Sequence, residues 1–318
     1  MYHRIAEPTT DVWRIAVSKK TFEAHLRFLR AAGNTMSLEE LVCNLKRGGL
    51  RKNAVAITFD DGYIDNYLTA KPLLEQYQLP ATFFIASGNI ETANEFWWDE
   101  LENIFILSER LPSYFSLVIN EQSISADLKD EITLTTEIKD KHTAWDACLQ
   151  QPPTNRAKLF YDVWSKLRPL PHVQQQHCLA EIKGWAKVQY AVRNDFRVIT
   201  KKQLMELSGS KLFSIGAHTV NHPALAHHSP ACQKKELIEN KTFLEAVIGN
   251  SVTLLAYPYG NYNSYTMSVA RELGFTGAFT TEEHTIKSNT NNYSLGRFQV
   301  NNVNGEKLEQ SLKHWKQY

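Results

Sequence analysis

Short apolar runs alternating with amphipathic stretches set the rhythm of this chain. The run Ala54-Val55-Ala56-Ile57-Thr58-Phe59 is apolar, rich in β-branched residues, and bounded by Asn53 and Gly62. It predicts a strand buried on both faces, as in parallel sheets. A helix over 65–76 carrying Leu68, Leu73 and Leu74 follows, and Pro80 introduces a second strand at 81–85. Strand, helix, strand with short links is a βαβ unit, whose two strands run parallel. Upstream, 2–5 reads as a short first strand and 13–17 as an extended segment. Ser18 then caps a helix with Phe22, Leu26 and Leu29 on one face, closed by Gly33. Ser37-Leu38-Glu39-Glu40 has the pattern of a capping box and opens a second helix that runs out near Gly48-Gly49.

From 91 to 195 the rhythm changes. A helix starts at Phe96-Trp97-Trp98-Asp99, 117–125 suggests a small hairpin, and helical patches follow at 140–149, 156–167 and 172–188. This stretch reads as a mainly helical insertion, serving as a structural cap, a substrate-binding lid or a subunit interface through which the chain forms homo-oligomers. The strand–helix alternation resumes with the capping box at Thr200–Gln203, a strand at 213–216 and a long helix from Ser229-Pro230 through Ile248. Strands at 252–257, 278–280 and 295–300 and helices at 264–273 and 305–316 complete the pattern. The expectation is one α/β domain spanning 1–318, with the insertion at 91–195 inside it.

Composition narrows the function classes. The chain has 318 residues, 43% hydrophobic and 22% charged, with 35 basic against 34 acidic residues and a formal net charge of +1. Such a balance offers no electrostatic footprint for nucleic acid or an anionic membrane. No apolar run approaches the roughly 20 residues that cross a bilayer. The N-terminal residues lack the basic-then-apolar profile of a signal peptide, so a cytoplasmic protein is expected. Cys43, Cys148, Cys178 and Cys232 are scattered with no C-x-x-C pair. They read as reduced thiols in or near the core, with neither a disulfide framework nor a zinc ribbon.

Three predicted strand ends carry polar cargo: Asp60-Asp61, His218…His222, and Tyr257-Pro258-Tyr259-Gly260. Asp followed by Gly is ordinary turn chemistry, but α/β folds place their reactive groups at the carboxyl ends of strands. A spacing of four puts two imidazoles on one side of a helical turn, near enough to chelate one ion. Thr219 stands where a metalloprotease helix would carry glutamate, so that motif is excluded. Two histidines and an aspartate form a common ligand set for a catalytic divalent ion. The neighbouring aspartate is then available as a general base.

Thr58-Phe59-Asp60-Asp61-Gly62 and His218-Thr219-Val220-Asn221-His222 resemble the first two signature motifs of the polysaccharide deacetylases, the NodB-homology family of carbohydrate esterases. Tyr257-Pro258-Tyr259-Gly260 resembles a variant of the third, and the order along the chain agrees. The resemblance implies an irregular (β/α) barrel of parallel strands, a deformed TIM barrel. It implies Asp60 as general base, and Asp61, His218 and His222 as ligands of a divalent metal, Zn²⁺ by ligand type. It implies an acetylated saccharide as substrate and a backbone N–H near Tyr259 as a second oxyanion donor. Tyr63, Tyr257, Pro258, Tyr259 and Gly260, which form or adjoin the motifs, are the expected substrate contacts.

The pattern departs from the family in three places. The arginine that opens the third motif and pairs with the base is replaced by Ala256, leaving Arg297 as the candidate to supply that charge. The aspartate-tryptophan fourth motif has no clear counterpart. For the general acid, Leu312-Lys313-His314 matches the fifth motif's letters but lies in a terminal helix, and His3 is the other candidate. Trp97 and Trp98 read as packing, and His227-His228 as a solvated loop. Three further readings stand beside deacetylation: hydrolysis of another C–N bond in a small amide, saccharide binding without turnover, and an interaction protein acting through 91–195.

Overall fold

The computed structural model describes residues 1–92, 94–187 and 192–317. Among them the chain forms strands β1 (Ile57–Phe59), β2 (Ala81–Ile85), β3 (Tyr114–Ile119), β4 (Gln122–Asp127), β5 (Phe213–Ala217), β6 (Leu254–Ala256) and β7 (Gly277–Phe279). It divides into two compact units, one of Met1–Glu7, Ile15–Thr92 and Val198–Tyr318, the other of Pro8–Arg14 and Ala93–Arg197.

The first unit is built on a five-stranded parallel sheet in the order β1-β2-β5-β6-β7. The sheet curls into a half-barrel with helices around it, the irregular barrel expected from the sequence. Tyr2 bridges Phe59 in parallel at one edge and Leu295 bridges Phe279 in parallel at the other. Register aligns the carboxyl ends: Phe59 pairs with Phe83, Ile85 with Ala217, and Ala217 with Leu255.

Each face of the sheet has its own aromatic core. Tyr2, Phe59, Phe83 and Phe213 run across neighbouring strands with ring centroids 5.4, 4.9 and 5.5 Å apart. Phe22, from the Lys19–Ala32 helix, packs edge-on against Tyr2 and Phe59. On the other face Phe84 and Phe279 meet at 5.6 Å within a cluster that includes Leu38, Val42, Leu254 and Leu295. Rings of this size each contribute about 2–3 kcal/mol on burial.

Helix ends follow the sequence signals where a cap is present. Ser18 accepts from Thr21 N–H and Gly33 ends that helix at φ 64°, a left-handed position that favours glycine. Thr200 forms the expected capping box with Gln203, and Ser229 caps the Pro230–Ile248 helix.

Elsewhere the structure differs from the expectation. The 65–76 helix starts as a wide π turn, Asn66–Ala70, before the α-helix Lys71–Tyr77. Pro72 has no N–H to return to the preceding turn, so the α ladder cannot continue through it; Leu68, expected on the buried face, is 61% exposed. The 295–300 segment pairs with the sheet only at Leu295, because Arg297 N–H goes to Glu282 O and Val300 N–H to Met1 O. Cys43 and Cys148 are exposed rather than packed in the core, while Cys178 is buried and all four are free thiols. His228 is buried rather than solvated.

The second unit holds the antiparallel hairpin β3–β4 and helices Trp97–Glu102, Thr136–Ala144, Asn155–Leu167 and His172–Ala186. Strict alternation along β3 turns Phe115, Leu117 and Ile119 inward. Phe115 meets Trp185 edge-on at 4.8 Å. Trp97 and Trp98 are buried, as their packing role predicts, and Trp98 stacks on Phe96 at 4.4 Å. Arg156 is fully buried and spends its guanidinium on the carbonyls of Glu131, Ser108 and Ile132. Among the described residues, no helix is long and apolar enough to cross a membrane.

Candidate active site

The carboxyl ends of the parallel strands deliver the polar groups to one place. Asp60 and Asp61 follow β1, His218 follows β5, and Tyr257 follows β6. Tyr2 O accepts from Asp60 N–H at 3.0 Å, which fixes the first aspartate beside the N-terminal segment and leads the chain on to His3. Asp61 and Gly62 are both left-handed, at φ 74° and 87°. That reversal sends the two adjacent carboxylates in different directions. The positive φ favours glycine at position 62, and a side chain there would also press against Ile85 at 3.1 Å.

The histidine pair is not on a helical turn. Residues 218–222 form a loop in which Thr219 and His222 adopt positive φ, 64° and 54°. Loop curvature, rather than helical periodicity, brings the two rings to 4.9 Å between centroids. Non-glycine residues in this region carry local strain of about 1–3 kcal/mol each, a feature concentrated at working sites.

Asp61, His218 and His222 offer one ligand atom each, all within 4.8 Å of one another, and all three are buried. Asp61 Oδ1 lies 3.3 Å from Nε2 of both histidines. His218 Nδ1 donates to Ala256 O at 2.8 Å, which fixes the ring and turns Nε2 toward the cluster. Burial alone would raise the Asp61 carboxyl, but the two imidazoles outweigh it and hold it well below the usual range. Burial pushes His222 down, toward the neutral form that binds metals. One carboxylate and two imidazoles, converging and desolvated, fit a divalent ion.

Asp60 faces a different partner. Arg297 Nη1 and Nη2 meet Asp60 Oδ1 and Oδ2 at 2.7 Å each, both side chains being buried. Burial raises this carboxyl too, and the guanidinium, with help from His218 and His3, outweighs it, leaving Asp60 below its ordinary value. Arg297 is itself anchored by Nε to Thr280 O at 3.1 Å and by Nη1 to Thr58 Oγ1 at 3.3 Å. Its guanidinium lies over the Phe84 ring at 5.3 Å. The charge missing at Ala256 thus arrives from the far edge of the sheet.

His3 lies where the parallel bridge between Tyr2 and Phe59 places it, alongside Asp60. Its Nδ1 is buried with no hydrogen-bond partner among the described residues. Burial lowers its pKa, with Asp61 and Asp60 pulling the other way. The backbone around it is fixed by two residues the motifs did not single out. Asn66 Nδ2 donates to His3 O at 2.7 Å; Asp65 accepts from Ile5 N–H at 2.8 Å and from Arg4 Nε at 3.0 Å. Adjacent polar residues at the start of the 65–76 helix were the only signal for this pair. His314 is exposed on the Gly305–Trp315 helix and is not part of this cluster.

The expected substrate contacts divide. Tyr259 is half-buried at φ 57°, with its ring edge-on to His222 at 4.5 Å. Gly260 is half-buried next to it, where a Cβ would lie 2.2 Å from Thr281 Oγ1. Tyr63, Tyr257 and Pro258 are buried. Tyr63 lies beneath the Arg4 guanidinium at 4.7 Å, and Tyr257 donates its hydroxyl to Tyr293 O. These three fill the core and leave no face for a sugar.

Comparison with known proteins identifies the family of this chain. The sequence profile of the polysaccharide deacetylase family matches residues 47–106 and 179–278, half of the chain. That span includes Asp60, Asp61, His218, His222 and Tyr259 and excludes His3 and Arg297. The chain is similar to the Bacillus subtilis (strain 168) protein YxkH, at 22% identity over 302 residues, 94% of this chain and 70% of that one. It is also similar to the poly-β-1,6-N-acetyl-D-glucosamine N-deacetylase of Staphylococcus aureus (strain MRSA252), at 20% identity over 306 residues, 96% and 73% of the two chains. Among solved structures, the Streptococcus pyogenes deacetylase PplD in complex with acetate shares the fold with a TM-score of 0.60 and 20% identity, over 98% of this chain and 95% of that one.

Proposed function

Because this chain belongs to the polysaccharide deacetylase family, we propose that it hydrolyses acetyl groups from a saccharide with the help of a divalent metal ion, N-acetyl groups of an amino-sugar chain being the favoured substrate. The observation that carries this reading is the pairing of Asp60 with Arg297 beside the converging Asp61, His218 and His222. The name of the staphylococcal relative supports the choice of an N-acetylated amino sugar.

Asp61, His218 and His222 would hold the ion, with Zn²⁺ best matched to two imidazoles and one carboxylate. Such an ion, when bound, polarises an acetyl carbonyl and lowers the pKa of water. Asp60 takes the proton of the attacking water, and Arg297 holds its carboxylate ionised and oriented for that transfer. His3, held by Asp65 and Asn66, donates a proton to the departing amine. The backbone N–H of Tyr259 is the proposed second donor to the tetrahedral oxyanion. The water gives its oxygen to the acyl carbon, the C–N bond breaks, and acetate and a free amino sugar leave.

The test is acetate release with added Zn²⁺ or Co²⁺ on N-acetylglucosamine oligomers, O-acetylated saccharides and a panel of small amides. Turnover of the oligomers above the other two classes supports the reading. Turnover of the small amides alone would replace it with hydrolysis of another C–N bond. Saccharide binding without turnover under any metal would make the chain a binding protein.

A further inference from the structure

We propose that Glu236 and Asn240, one turn apart on the Pro230–Ile248 helix, are positioning residues that hold the His218–His222 loop in the backbone shape that presents its two imidazoles. Glu236 Oε2 accepts from Val220 N–H at 2.8 Å and Asn221 N–H at 2.9 Å, and Oε1 accepts from Asn221 Nδ2 at 2.7 Å. Asn240 Oδ1 accepts from His218 N–H at 3.1 Å, while its Nδ2 donates to Ile85 O at 3.1 Å and Ser87 Oγ at 2.8 Å.

The loop is gripped from its other side as well. Ser87 N–H donates to Thr219 O and Gly88 N–H to Val220 O, at 3.2 and 2.8 Å. A Cβ on Gly88 would lie 2.7 Å from Val220 O, so only glycine allows β2's exit to come this close. The amides of His218, Val220 and Asn221 therefore go to the helix and the carbonyls of Thr219 and Val220 to the end of β2, with Asn240 tying the two together. His222 N–H stays within the loop, on Thr219 Oγ1 at 3.0 Å.

Burial argues that these contacts serve the loop rather than the helix. Glu236 is 8% exposed and Asn240 fully buried. A desolvated carboxylate is costly unless charge-assisted hydrogen bonds offset it. Among the described residues, every hydrogen bond of the Glu236 carboxylate goes to the loop and it pairs with no cation. The loop needs such a hold because Thr219 and His222 are both left-handed, a conformation that neither side chain favours by itself. Released from Glu236, the loop relaxes and the imidazoles lose their convergence on Asp61.

The inference rests on the metal-site reading above, and its test separates the two. Zn²⁺ affinity is measured by competition with a chromophoric chelator, alongside the melting temperature of the metal-free protein. The variants are Glu236→Ala, Glu236→Gln, Glu236→Gln with Asn221→Asp, and His222→Ala. Glu236→Ala weakens Zn²⁺ binding about ten- to hundredfold, the effect expected of a group that orients metal ligands. Glu236→Gln falls between, because its amide oxygen still accepts from the two loop N–H groups but without the carboxylate charge. Adding Asn221→Asp restores a charge-assisted hydrogen bond between the two side chains, and affinity recovers to within about threefold of the parent at an unchanged melting temperature. Zn²⁺ binding by Glu236→Ala within about twofold of the parent, while His222→Ala loses it, would overturn the positioning role alone. Equal Zn²⁺ binding by the parent and His222→Ala would instead overturn the metal site.

Discussion

Arg297 closes on Asp60 with both arms of its guanidinium, 2.7 Å to each carboxylate oxygen, joining residues 237 positions apart in the chain. The pair is buried, so removing one partner strands the charge of the other. Arg297→Met is expected to destabilise the protein by about 3–5 kcal/mol and to remove most turnover. Arg297→Lys keeps the charge but loses the two-armed geometry, so it recovers more stability than activity. Urea unfolding and acetate release on the same preparations check both. Undiminished turnover in Arg297→Met would exclude Arg297 from orienting the base.

His3 and His314 are the two histidines that the sequence offers as proton donors, and only His3 lies at the strand ends beside Asp60. His3→Gln should lower kcat by about 10²–10⁴-fold while leaving bound metal at the parent level. His314→Gln should leave kcat unchanged. A reversed result would move the acid role to the C-terminal helix.

Gly216 stands one residue before the end of β5, and a methyl there would meet Phe84 Cδ1 at 2.3 Å. Phe84 lies beneath Arg297, so the strain is felt by both core and site. Gly216→Ala should cost about 1–3 kcal/mol as an overpacked core substitution. A lowered urea midpoint with unchanged slope would show it.

Much of this architecture was legible in the sequence. The apolar run ending in Asp60-Asp61, the Ser18 and Ser229 caps and the Thr200 capping box are local signals, and local chemistry produced them. What escaped is non-local. Tyr63 and Tyr257 adjoin the motifs in sequence, yet their rings pack into the core, because adjacency along a strand says nothing about which face is lined. The His218–His222 spacing suggested a helical turn, whereas the same convergence comes from two left-handed residues, bonded to each other through Thr219 Oγ1, in a loop gripped by the helix and by the end of β2. Arg297 was a candidate only because Ala256 left a charge missing; its pairing depends on a sheet curled enough to bring its far edge to β1.

Acid should weaken the fold through His25. Its neutral ring donates from Nε2 to Val303 O and accepts from the Tyr2 hydroxyl at Nδ1. Burial lowers its pKa, only partly offset by the Val303 carbonyl. The unfolded chain therefore takes up this proton first as pH falls below about 6.5, the ordinary histidine value. Stability is full above that pH and declines below it toward the lower folded-state value, by at most about 1.4 kcal/mol per pH unit for one group. His25→Gln should flatten the slope of melting temperature against pH between about 6.5 and 5. An identical slope in parent and variant would remove His25 from the acid response.

The central claim is that two neighbouring carboxylates do different work, Asp61 on a metal ion and Asp60 on water. Metal content and acetate release, measured together on the parent, Asp60→Asn and His222→Ala, test it most directly. Asp60→Asn should retain bound metal and lose turnover, and His222→Ala should lose both. Equal metal content and equal turnover in all three proteins would contradict it.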